Sequence, residues 1–166
     1  MTAVNVKLDG IGGVWSAACK DAVKDLNALF QRKGINVKLT LNGSGPTITI
    51  KTDPAIVGTA VHGKTRAEID GRGRMLRAEV RLPVKLTINT PSGIRDAGAG
   101  MAEVVAAHEI VHALGHTPHT SLLMAQTMHK VMGNRPAGDK LKAGAATMPP
   151  LQLSDDTVKM LKEIWN

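Results

Sequence analysis

A chain of 166 residues, 43% of them hydrophobic, holds enough apolar material for one buried core, which excludes a disordered polymer. No apolar run approaches the ~20 residues that cross a bilayer, and the start, Met1 to Gly10, lacks the charged and apolar regions of a signal peptide. The formal charge of +7 permits an acidic partner, yet the basic residues are spread along the chain and the aromatics are only Trp15, Phe30 and Trp165, which argues against nucleic acid. Solubility is the plainer role for that charge. One cysteine, Cys19, allows no internal disulfide. The expectation is a monomer with no membrane span. Its location is intracellular, or outside the cell by another export route or after loss of a leader.

Taken in order, Ala3 to Leu8 alternates and reads as a first strand with one wet face. After a glycine-rich turn, Val14 to Lys33 reads as a helix: Trp15, Ala18, Ala22, Leu26, Leu29 and Phe30 fall at helical spacing and Gly34 stops it. Cys19 lies within it as a small buried residue; capping a metal as a thiolate is the alternative. Ile35 to Leu41 and Thr47 to Lys51 alternate as strands around the turn Asn42 to Pro46. Gly58 to Gly73 is polar and glycine-rich and reads as a surface loop, where His62 is an exposed histidine or a ligand to a second metal. Met75 to Arg81 and Val84 to Asn89 alternate again, and Pro83 between them suits an edge position or a bulge. Thr90 to Gly100 reads as a loop. Thr120 to Gln126 is compact and apolar, and Gly133 to Pro150 reads as a long irregular loop. Ser154, with Asp155 and Asp156 behind it, caps a last helix whose apolar face is Val158, Leu161, Ile164 and Trp165.

The chemistry lies in a helix of about Ala99 to Leu114. It carries His108-Glu109-Ile110-Val111-His112, an H-E-x-x-H pattern, followed by Gly115. Residues four apart share a helix face, so His108 and His112 can present two imidazoles to one ion. Glu109 sits about 100° further round, within reach of a water on that ion. Gly115 can turn left-handed and Pro118 keeps the helix from resuming, so a later histidine can fold back. Three protein ligands and an open position make a catalytic zinc site. H-E-x-x-H also arises by chance. Here, however, Val104, Val105, Ile110, Val111 and Leu114 make the helix apolar, and burying two histidines and a glutamate without partners costs several kcal/mol.

On these residues the sequence resembles the metzincin metallopeptidases, most closely the matrixin-like branch. His108 to Gly115 is similar to the start of the family's H-E-x-x-H-x-x-G-x-x-H. Leu123-Met124 looks like its methionine turn, and Leu153-Ser154-Asp155-Asp156 looks like the start of its C-terminal helix. The resemblance spans nearly the whole chain and implies an α+β fold: a twisted mixed sheet of about five strands with the first two helices on one face. It also implies a single catalytic domain, 1–166, with an upper subdomain 1–115 and a lower subdomain 116–166 holding the Met turn and last helix. It departs at Pro118, where the family has its third histidine. His119 and His116 are the candidates, and His119 is favoured because a turn absorbs one extra residue easily. No tyrosine is present to serve as the helper some members place after the Met turn.

The implied function is a zinc endopeptidase. His108, His112 and His119 hold one Zn2+, Glu109 is the general base, and Met124 supports the site. A protein or peptide substrate lies extended against the strand Met75 to Arg81. The alternatives are a zinc-binding or assembly module without turnover, and a peptidase acting on cell-wall peptide cross-links.

Overall fold

The computed structural model describes residues 1–58, 62–115, 117–126 and 151–166, the side chain of Thr90 excepted. The fold is mixed α+β, a five-stranded sheet with three helices among the described residues. The strands are β1 (Thr2–Leu8), β2 (Val37–Leu41), β3 (Thr47–Asp53), β4 (Lys64–Ile69) and β5 (Met75–Pro83). Their order across the sheet is β2-β1-β3-β5-β4. β4 alone is antiparallel, paired with β5 and lying at the edge. β3 begins beside Asn5 of β1, level with the end of β2, so the short turn 42–46 can join two parallel strands.

Period-two alternation decides which face is covered. Val4, Val6, Val37, Leu39, Ile48, Ile50, Val80 and Leu82 are buried. Their neighbours in sequence form a charged outer face, where Lys51–Glu79 (2.6 Å), Arg77–Glu68 (2.6 Å) and Arg81–Asp53 (3.3 Å) are paired. These are exposed pairs, worth about 0–1 kcal/mol each.

Helix α1 (Val14–Lys33) packs on β2 and on α2 (Ala99–Ala113), and α2 lies against β5 and β4. The apolar positions predicted for α1 are buried, together with Cys19 and Val23. Gly34 closes the helix in the left-handed conformation, φ 66°. Trp15 satisfies its indole by donating to the Pro83 carbonyl at 2.7 Å, pinning α1 to the end of β5. The last helix, α3 (Asp155–Trp165), starts at Ser154, whose hydroxyl accepts from the Thr157 amide at 3.3 Å. Such a cap contributes about 1 kcal/mol. Buried Trp165 donates to the Leu114 carbonyl at 3.0 Å, so the last helix is tied to the end of α2.

Three expectations are corrected. The stretch 58–73 is not wholly loop, because β4 lies inside it; its side chains are mostly exposed, so it carries no apolar stripe to read. Val84 to Asn89 does not join the sheet. Of that run only Thr87 to Asn89 are strand: they open β6 (Thr87–Thr90), which among the described residues pairs with β7 (Gly93–Asp96) in a separate two-stranded hairpin, so β7 lies inside the expected loop 90–100. Met75 to Arg81 is not an edge: β3 and β4 flank it. The loop expected at Gly133 to Pro150 lies outside the described residues. No described helix is long and apolar enough to cross a membrane.

Candidate metal centre

α2 carries His108 and His112 one turn apart. The helix ends at Leu114, and Gly115 then takes φ 100°. A Cβ there would lie 2.8 Å from the Gly73 carbonyl oxygen, so glycine is required for both conformation and space. The chain reverses and returns His119. His112 Nε2 lies 3.0 Å from His108 Nε2 and 3.3 Å from His119 Nε2. The ligand atoms of all three histidines lie within 4.8 Å of one another, the one such cluster among the described residues. His116, the other candidate, lies outside the described residues.

The donor set fits a zinc ion. Zn–N bonds of about 2.0–2.1 Å at tetrahedral angles place ligand nitrogens about 3.3–3.4 Å apart. The His112–His119 pair meets this at 3.3 Å, the His112–His108 pair is tighter at 3.0 Å, and all three ligand atoms fall within 4.8 Å of one another. His108 Nδ1 is 2.7 Å from the Leu123 carbonyl, so Nδ1 carries the proton and Nε2 presents its lone pair. Burial lowers the pKa of His108, opposed by the Leu123 carbonyl, so the ring is neutral and ready to ligate near neutral pH. Facing lone pairs at 3.0 Å need a proton or a cation between them, and a neutral imidazole has one N–H to offer.

The turn that supplies the Leu123 carbonyl is built by local bonds. Met124 N donates to Ser121 O at 3.2 Å, Thr120 N to Met124 O at 2.8 Å, and Leu122 holds φ 56°. Leu123, Met124 and Ala125 are buried. The turn is bridged to the run before α3 through Leu122 and Leu153, and the Thr120 and Thr157 hydroxyls meet at 2.8 Å. The last helix thereby braces the carbonyl that orients His108.

Glu109 is 7% exposed and lies beside the cluster. Burial pushes its carboxyl pKa up, while a hydrogen bond from Thr65 and the charges of His112 and His119 hold it back. Thr65 Oγ1 donates to Glu109 Oε2 at 2.5 Å. A Cβ at Gly63 would lie 2.7 Å from Glu109 Cγ. Neither residue was singled out from sequence, and no motif marks them: an edge-strand threonine and a loop glycine are ordinary residues until the fold sets them against α2.

His62 is half-buried, not an exposed loop residue, and burial lowers its pKa. Its charge reaches His108, yet it is not part of the ligand cluster. Cys19 sits in the α1 core with its thiol pushed up to about 12 by burial, which suits packing. Comparison with protein-family models finds no match to this chain, and comparison with curated proteins finds none either.

Proposed function

We propose that this chain is a zinc-dependent endopeptidase of the metzincin type, similar to the matrixins. The observation that carries the reading is the convergence of His108, His112 and His119 nitrogens beside the buried carboxylate of Glu109. Three imidazoles are the ligand set of a catalytic rather than a structural zinc. The order of elements and the buried turn at Met124 support the reading.

In this reading His108, His112 and His119 would hold a zinc ion, which would supply Lewis acidity to lower the pKa of water toward about 7 and to polarise the scissile carbonyl. Glu109 takes the proton of the attacking water and passes it to the leaving amine. The Leu123 carbonyl keeps His108 in the ligating tautomer. The substrate lies extended along β4, not along Met75 to Arg81, because β4 presents the free backbone edge next to α2. A module without turnover leaves the buried Glu109 without a role. The charge of +7 is the feature that favours the wall-peptide alternative.

The test is digestion of a diverse peptide library by the zinc-loaded protein and by Glu109→Ala, read by mass spectrometry beside a wall-peptide substrate. Cleavage of the library by the native protein alone supports the reading. Cleavage of wall peptide only moves the activity to that substrate. No cleavage with zinc bound leaves a binding module.

A further inference from the structure

The geometry points to Thr65 as the residue that positions the Glu109 carboxylate, with the Gly63 backbone as its backstop. This inference rests on the peptidase reading above. Thr65 stands on β4 between the exposed residues Lys64 and Arg66, on the face turned to α2, while its strand keeps one backbone edge free.

Its hydroxyl lies 2.5 Å from Glu109 Oε2 and 3.3 Å from the Glu109 backbone oxygen. A hydroxyl has one proton to give. It goes to the carboxylate, since charge-assisted O–H···O⁻ bonds are the short and strong kind, about 2.5–2.7 Å. Gly63 closes another side: a Cβ there would lie 2.8 Å from both Cδ and Oε1 of Glu109. Among the described residues Oε1 accepts no hydrogen bond. One oxygen is therefore held and the other is left to exchange the proton. When Oε1 carries that proton, Oε2 is a carbonyl oxygen and still accepts from Thr65. The clamp survives both halves of the cycle.

The consequence is a link between base and substrate. The same strand that offers its edge to an extended peptide also fixes the carboxylate that must meet the attacking water. A misplacement of about 1 Å at such a group costs on the order of 10²-fold in rate. Thr65 is thus a positioning residue, and its effect falls on turnover rather than on metal or substrate binding.

The experiment compares Thr65→Val, which removes the hydroxyl at nearly constant shape, with Thr65→Ser, which keeps it. Steady-state kinetics are measured on the zinc-loaded proteins. The ¹³C resonance of the Glu109 carboxyl is followed in the metal-free proteins. For Thr65→Val the expected result is full zinc content, KM within about twofold, and kcat lower by about 10–100-fold. Thr65→Ser recovers most of the turnover. The Glu109 resonance moves in Thr65→Val and returns in Thr65→Ser. If Thr65→Val fails to fold, Thr65→Ala carries the same two readouts. Native turnover in the Val variant, or an unmoved Glu109 resonance, overturns the inference. If native protein cleaves no peptide, the peptidase reading fails on its own, and the resonance alone decides whether the clamp exists.

Discussion

Glu103 lies on α2 where that helix packs against α1, half-buried and hydrogen-bonded to Asp25, with Asp21 nearby and Lys24 as the counter-charge. Burial, then the bond to Asp25, pushes its carboxyl up to about 7 from an ordinary 4.5. The folded state therefore binds a proton more tightly than the unfolded chain. The stability this provides is present in full below pH 4.5 and is lost as pH rises through about 7. A rise of that size converts to about 3.4 kcal/mol at about 1.36 kcal/mol per pH unit; half-exposure to solvent reduces it to about 1–2 kcal/mol. Glu103→Gln removes the ionisation and keeps a donor for Asp25. At pH 8 the variant should be more stable by about 1–2 kcal/mol, or roughly 2–8 °C in Tm, with the gain shrinking toward pH 5. Thermal unfolding by circular dichroism at both values measures it on metal-free protein. A variant with the same Tm difference between pH 5 and pH 8 as the native protein would refute the argument.

Other outcomes follow from single contacts. Trp165→Phe leaves the buried Leu114 carbonyl without its 3.0 Å donor and should cost about 1–3 kcal/mol in denaturant unfolding. Gly115→Ala forces a Cβ to 2.8 Å from the Gly73 oxygen at φ 100°, so it should lower Tm and weaken zinc retention together, since the turn returns His119. His119→Ala removes an exposed side chain, so calorimetry of the metal-free protein should show little change in Tm. Zinc added at about 100 times its Kd should stabilise the native fold by about 2.7 kcal/mol, an effect that a chelator reverses.

Much of this was legible in the chain. α1 announced itself through apolar residues at helical spacing and Gly34, and the last helix through Ser154 and its acids. His108 and His112 followed from helical spacing, the turn signal called for a later histidine, and the resemblance favoured His119 over His116 for that place. What escaped has physical causes. β4 is an edge strand with little to bury, so its sequence, Lys-Thr-Arg-Ala-Glu-Ile, lacks the stripe that marks a half-buried strand. The run after Pro83 alternates as a sheet strand would, but whether it pairs with the sheet or its own hairpin depends on partners far away in sequence. The Leu123 carbonyl that orients His108 is a backbone group that no side-chain pattern can mark, and Thr65 meets Glu109 across 44 positions.

The most direct measurement is zinc content per chain after exhaustive dialysis, by inductively coupled plasma mass spectrometry. It would be made on the native protein and on His108→Ala, His112→Ala, His119→Ala and His116→Ala. The account predicts one zinc per native chain, one in the His116 variant, and loss in each of the other three. Zinc retained without His119 and lost without His116 would contradict the ligand set, and a native chain that holds no zinc would contradict the metal centre itself.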